Sequence, residues 1–344
     1  DTPISPAGMW NDLFQPKFAA EHVQGFNADT ILAIGWDKRR AWINGGDRAA
    51  YWDTWSYEAG AHLRAHLIAS HYGTTHGKAD ICWNLYGEAG ARIAGCEQQT
   101  AFDMQPGDVC EVAVAECTIP ASDRPQTLRL EASITIGGCR HSNSWRLWSF
   151  PQGAWSALRV ALYDPCGMLQ HFAHVAPGVQ PVSNAFSGVA RGLVVLATEW
   201  NAEVAAFVQG GGRAIVLQSD ASTGPMPVVE VPFWREAVRV CEPHEAWGDF
   251  PHAGWADLQF FGCATDLALD SEAWPEATRP ILRRIDVRTL ATHEYAAEFE
   301  YGAGRMIVST LRFTGGHGEQ PVGITRNTAA RYLLACWVRY LSRS

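Results

Sequence analysis

Two folded units in one chain are what the sequence predicts: an antiparallel β-sandwich, then an α/β unit on a parallel sheet. Between about Tyr51 and Pro151, apolar and polar residues alternate in short runs bounded by Gly, Pro, Asp and Asn. That is the period-two pattern of half-buried antiparallel strands. After Pro151 the runs turn continuously apolar with helical stretches between them, as strands covered on both faces require. The 344 residues also exceed the size at which one hydrophobic core usually stops growing.

Residues 1–45 read as a lead-in, punctuated by Pro16, Gly25 and Gly35, with a buried-strand candidate at Thr30–Ile34. Residues 46–151 hold the sandwich, with strands expected at His62–Ala69, Ile81–Tyr86, Val109–Val114 and Leu128–Ile134. Residues 152–344 form the α/β unit, with strands at Leu158–Tyr163, Leu193–Ala197, Ala214–Leu217 and Met306–Leu311. From Asn327 to Leu341, the residues Leu333, Leu334, Trp337, Val338 and Leu341 fall at helical spacing behind an Asn cap, which predicts a terminal helix docked on the sheet.

A net charge of -9 with scattered Lys and Arg would repel a phosphate backbone, so nucleic acid is not an expected partner. No apolar run is long enough to span a bilayer, so a soluble chain with no membrane partner is expected. The nine cysteines contain no Cys-x-x-Cys pair and the twelve histidines no ligand spacing, so neither a metal nor another cofactor is indicated. Reduced, mostly buried thiols are the expectation, with a Cys82–Cys139 bridge across the sandwich as the one alternative. The chain begins at Asp1 without an initiator Met, a basic n-region or an apolar h-region; any targeting segment is removed or never existed, and the compartment stays open.

Fifteen tryptophans are the most informative feature, because many stand in polar, turn-like sequence rather than in apolar runs. A flat indole beside Asp, Gln or His can stack on the C–H face of a sugar while its neighbours bond the hydroxyls. Two clusters have that composition: Tyr51, Trp52, Asp53 and Trp55, and Trp247, Asp249, His252, Trp255 and Gln259. Stacking on one indole buries about 100 Å², worth roughly 2.5 kcal/mol. Two or three aromatics plus hydrogen bonds are therefore needed to pass the ~4 kcal/mol of millimolar binding.

Signatures of other chemistry fail. Neither Gly-x-Ser-x-Gly nor its cysteine counterpart occurs, and Asp164-Pro165-Cys166-Gly167 reads as a turn. Gly210-Gly211-Gly212 and Gly302-Ala303-Gly304 precede their strands and read as hairpin or helix-to-strand turns. His293-Glu294 starts a zinc motif that fails at Ala297. A glycosidase needs two carboxylates facing each other across the scissile bond. Glu298 and Glu300 would share one face of a strand about 7 Å apart, and with Asp249 they are the catalytic candidates of the alternative, enzymatic reading.

Three strings carry a resemblance. Gly8-Met9-Trp10-Asn11-Asp12-Leu13-Phe14-Gln15-Pro16-Lys17 resembles the segment leaving the last barrel helix in glycoside hydrolase family 2 β-galactosidase-like proteins, and Asn143-Ser144-Trp145-Arg146-Leu147-Trp148-Ser149-Phe150-Pro151 is similar to the string closing their immunoglobulin-like sandwich. Pro280–Asp286 and Glu298–Leu311 look like the end of their accessory glutamine-amidotransferase-like domain. The resemblance implies an immunoglobulin-like sandwich followed by a flavodoxin-like, amidotransferase-like α/β domain, the C-terminal, non-catalytic region of such an enzyme. In that family the catalytic glutamates lie on a barrel that would precede this chain, so no catalytic residue is carried over. The implied role is carbohydrate contact, scaffolding or oligomer assembly beside a catalytic barrel domain or subunit. The alternatives are a glycoside hydrolase in its own right, with carboxylates at the domain interface, and a purely structural dimerisation platform.

Overall fold

The structure, a computed structural model, describes residues 10, 13–16, 23, 25–36, 54–96, 102–169, 172–174, 176–183, 186, 192–231, 236–263, 265–270, 278–313, 324 and 327–343. It is mostly β-sheet with few helices. The chain divides into two compact units. Residues 1–38, 60–120 and 127–147 form the first; residues 39–59, 121–126 and 148–344 form the second.

The first unit contains two antiparallel sheets. In one, His62–His71 is hydrogen-bonded between Thr30–Gly35 and Asp108–Thr118. Its Leu63, Ala65, Leu67 and Ala69 are buried while the residues between them are not, the alternation that a one-faced strand demands. In the other, Gly77–Tyr86 lies between Arg92–Cys96 and Gln126–Ile136, and buries Ile81, Trp83 and Leu85. Gln126–Ile136 turns into Cys139–Phe150 through Gly137-Gly138, whose φ angles of 55° and 82° suit a two-residue hairpin loop. Cys82 and Cys139 are free thiols. Gln126–Ile136 separates their strands within one sheet, and two strand spacings exceed the Cα separation a disulfide can bridge.

The second unit is built on β1 (Val160–Tyr163), β2 (Val179–Pro181), β3 (Val194–Ala197), β4 (Arg213–Leu217), β5 (Thr292–Tyr301) and β6 (Gly304–Ser309). They lie in the order β2-β1-β3-β4-β6-β5. All neighbours are parallel except β5, which is antiparallel to β6. The apolar runs are continuous because both faces are covered. Val160, Leu162, Val194, Leu196, Ile215 and Ile307 pack into one cluster with the terminal helix α2 (Thr328–Arg343). Ala161, Val195, Ala214, Val216, Met306 and Val308 pack into another with Val204 and Val208 of α1 (Ala202–Gln209).

Both helices start as their sequences dictate. Asn201 Oδ1 accepts from the Glu203 and Val204 amides at 3.0 Å, and Asn327 Oδ1 accepts from the Ala330 amide at 2.9 Å. Such side chains satisfy amides that have no partner within the helix. Gly210-Gly211-Gly212 joins α1 to β4, and Gly302-Ala303-Gly304 is the β5–β6 hairpin, with Gly302 at φ 62°. Cys166 occupies the turn expected of it, closed by the Gly167 amide donating to Asp164 O at 3.1 Å. Beyond β5, Thr278–Asp286 pairs with both β5 and Glu236–Cys241.

Candidate functional site

A cleft of about 930 Å³ belongs to the second unit, and its lining includes Gln152, Glu245, Asp249, Tyr332, Arg339 and Tyr340. On α2 the positions Tyr332, Cys336, Arg339 and Tyr340 recur every three or four residues. They form a stripe beside the apolar one made by Leu333, Leu334, Trp337, Val338 and Leu341. The opposing wall is a loop after Glu236–Cys241, tied back by Cys241 N–H to Gly254 O at 3.0 Å and Ala256 N–H to Arg239 O at 2.9 Å. Within it Glu245–Trp247 forms a short 3₁₀ turn, and Gly248, at φ 57°, leads into Asp249. A side chain at Gly248 would be strained by that left-handed backbone.

Asp249 is the open carboxylate of this cleft. Its Oδ1 accepts a hydrogen bond from Tyr332 Oη at 2.8 Å, with Arg339 Nη1 at 3.7 Å, and its side chain is 55% exposed. The Arg339 guanidinium also lies 5.1 Å from the centre of the Tyr332 ring. Burial, together with the bond to Asp249, raises the Tyr332 pKa well above the usual phenol range. Burial likewise pushes the Cys336 thiol up to about 12. Tyr332 is thus a fixed neutral donor and Cys336 a protonated thiol, not a nucleophile.

Glu298, on β5, is in the opposite condition. Only 2% of its side chain is exposed. Its Oε1 receives Arg305 Nε at 3.2 Å, and its Oε2 receives His244 Nε2 at 3.1 Å and Arg279 Nη1 at 2.8 Å. Tyr340 Oη reaches both oxygens, at 3.1 and 3.0 Å. His244 Nδ1 accepts from the Ala246 amide at 3.0 Å, which leaves Nε2 carrying the proton it donates to Glu298. Burial works to raise the Glu298 pKa, but the hydrogen bonds from His244 and Tyr340 and the charge of Arg305 outweigh it and hold the group below its ordinary value. A carboxylate so saturated keeps its charge and has no lone pair for a substrate. Glu300, two residues along the same strand face, is exposed opposite Arg305.

The aromatic candidates separate in the same way. Trp247 is 3% exposed, packs against Phe250 and Phe260, and donates its indole N–H to Glu242 O at 2.8 Å. Gln259 is buried and donates to Pro251 O at 3.1 Å. Neither meets solvent. Trp255 is 46% exposed. His252 is exposed on one side and lies 4.8 Å from Trp247 on the other; that desolvation lowers its pKa. Trp55 is half-buried against the core of the second unit, while Tyr51, Trp52 and Asp53 lie outside the described residues. Sequence reasoning did not find Tyr332, Arg339, Tyr340, Arg279 or His244. The signal present for the first three was the polar stripe of the terminal helix. Among the described residues no group of three or more His, Cys, Asp or Glu is placed to hold a metal, and no helix is long and apolar enough to cross a membrane.

Two family models match the chain, each described as a domain of unknown function: DUF8488 over residues 61–151 and DUF8487 over residues 195–344. No curated protein matches. Among solved structures the chain is similar to the sporulation control protein Spo0M from Bacillus subtilis, at 13% identity and TM-score 0.26, covering 43% of this chain and 56% of that one. It is also similar to a Parabacteroides merdae β-glucuronidase, at 14% identity and TM-score 0.20, covering 26% and 11%. A third is Bacteroides uniformis β-glucuronidase 2, at 9% identity and TM-score 0.20, covering 49% and 23%. Glycoside hydrolases are thus among the chain's weak structural neighbours, and the match spans less than a quarter of each of these two enzymes.

Proposed function

We propose that this chain is a carbohydrate-associated accessory region of a family 2-type glycoside hydrolase, an immunoglobulin-like sandwich followed by a flavodoxin-like, amidotransferase-like unit. In this reading its sugar contact is the Asp249 cleft, and it works beside a catalytic barrel supplied by another domain or subunit. The observation that carries the sugar contact is the half-exposed Asp249 carboxylate, oriented by Tyr332 and Arg339 in an open cleft. A carboxylate held in place by protein donors keeps acceptor sites for two neighbouring sugar hydroxyls, while the adjacent Gln152 and Arg339 supply donors. The loop that bears Asp249 also exposes Trp255, outside the residues that line the cleft, an apolar surface of the kind a pyranose face stacks on. The accessory role rests on the family 2 resemblance and on the saturated state of Glu298, which suits a structural ion cluster better than an acid or a nucleophile.

The test is titration of intrinsic tryptophan fluorescence with galactosides, cellodextrins and xylan oligosaccharides, run beside aryl-glycoside turnover. Saturable binding weakened about tenfold by Asp249→Asn or Trp255→Ala, without turnover, is the expected result. Turnover abolished by Asp249→Asn would replace this reading with the hydrolase one, and no response to any sugar would leave the structural platform. A barrel-sized extension of the native reading frame ahead of Asp1 would support the accessory role.

A further inference from the structure

A second cavity, of about 250 Å³, opens at the carboxyl ends of β4 and β6, where its lining includes Met168, Gln218, Asp266, Thr310, Leu311 and Arg312. In open parallel sheets the crevice beyond the carboxyl ends of the strands is where the chain leaves room for ligands. The volume equals about eight waters at roughly 30 Å³ each, so a small metabolite fits and an oligosaccharide does not.

The neutral polar groups here are already engaged. Gln218 Nε2 donates to Asp220 O at 3.0 Å and to Met226 O, and its Oε1 accepts from the Met226 amide at 3.3 Å. Ser219 Oγ lies 3.3 Å from Thr223 Oγ1, Thr310 Oγ1 donates to Leu267 O at 2.9 Å, and Thr265 Oγ1 accepts from the Leu267 amide at 3.2 Å. The charged pair differs. Arg312 is half-buried and its backbone is pinned by N–H donation to Cys263 O at 2.9 Å, yet its guanidinium makes no hydrogen bond or ion pair to a described residue. Asp266, exposed on the rim, acts on it electrostatically without touching it. Burial accordingly lowers the Arg312 pKa, against the pull of Asp266. A half-buried guanidinium with no partner among the described residues keeps its donors for an anion from solution, and its planar fork matches a carboxylate in two parallel hydrogen bonds.

We propose that this cavity binds a small monocarboxylate, its carboxylate paired with Arg312 and a hydroxyl or ammonium group directed to Asp266. The negative charge of Asp266 stands against a dianion such as phosphate, so a monoanion with a hydrogen-bond donor is the best complement. The site is independent of the Asp249 cleft and of the sugar reading.

The experiment is a thermal-shift and calorimetric titration of the whole chain with sodium L-lactate, sodium acetate and inorganic phosphate at constant ionic strength. L-Lactate should raise the melting temperature saturably, as a ligand of the folded state must, with acetate weaker and phosphate weakest. Arg312→Gln should abolish the shift, and Arg312→Lys should weaken binding about tenfold, because a point charge replaces the fork. Ligand-free Arg312→Met should melt no lower than the wild type, which an arginine serving only the fold would not allow. An L-lactate response unchanged in Arg312→Gln, or no response in the wild type together with a large melting loss in Arg312→Met, would overturn the assignment.

Discussion

Asp249 and Glu298 both meet the terminal helix α2, one through Tyr332 and Arg339, the other through Tyr340, yet their prospects are opposite. Asp249 has one oxygen engaged and more than half of its side chain in solvent; Glu298 has both oxygens filled by two arginines, a histidine and a tyrosine. A carboxylate becomes a site when its partners orient it and stop short of saturating it. Once every lone pair is answered, the same group is structural.

Removing each side chain tests the contrast, and the largest effect is expected at Glu298. Glu298→Ala leaves Arg305, His244 and Tyr340 around an empty position. Unfolding by urea should show a loss of about 3–5 kcal/mol, the usual result of orphaning one side of a buried ion cluster. Asp249→Asn should change stability by less than about 1 kcal/mol. Equal losses at the two positions would erase the distinction.

The pH dependence sharpens it. Because the folded pKa of Glu298 lies below its unfolded value, its contribution is fully present above about pH 4.3, the ordinary value of a glutamate in an unfolded chain. It is lost as the pH falls through the folded pKa. Melting temperatures measured from neutral pH down into the acid range should therefore fall less steeply in Glu298→Gln than in the wild type.

Smaller effects come from the helix and its thiol. Asn327→Ala, which removes the cap on α2, should cost about 1 kcal/mol in the same urea assay. Cys336, buried and with its pKa near 12, should resist iodoacetamide at pH 8 while exposed Cys166 reacts. Peptide mass spectrometry before and after denaturation would read that difference, and rapid labelling of Cys336 in the folded protein would mean that the cleft wall opens.

What was legible in the sequence followed local rules. The period-two runs fell within the strands His62–His71, Gly77–Tyr86, Asp108–Thr118 and Gln126–Ile136, because alternate side chains on a strand face opposite ways whatever lies beyond. The apolar spacing behind Asn327 became α2, and the glycine clusters became turns, since cap and turn preferences act within a few residues. Edges were less legible. The run Met306–Leu311 stands partly outside β6 (Gly304–Ser309), where pairing with β4 and β5 and not composition decides where a strand stops.

Only the tertiary structure decided which candidates face a ligand. Trp247 and Trp255, eight residues apart in similar surroundings, end as a sealed core indole and an exposed one. Glu298 is closed by His244 from 54 positions away and by Tyr340 from 42, and Asp249 is oriented by Tyr332 from 83. Burial and partnership at such separations depend on how strands and helices are laid side by side. No window of local residue types contains that information.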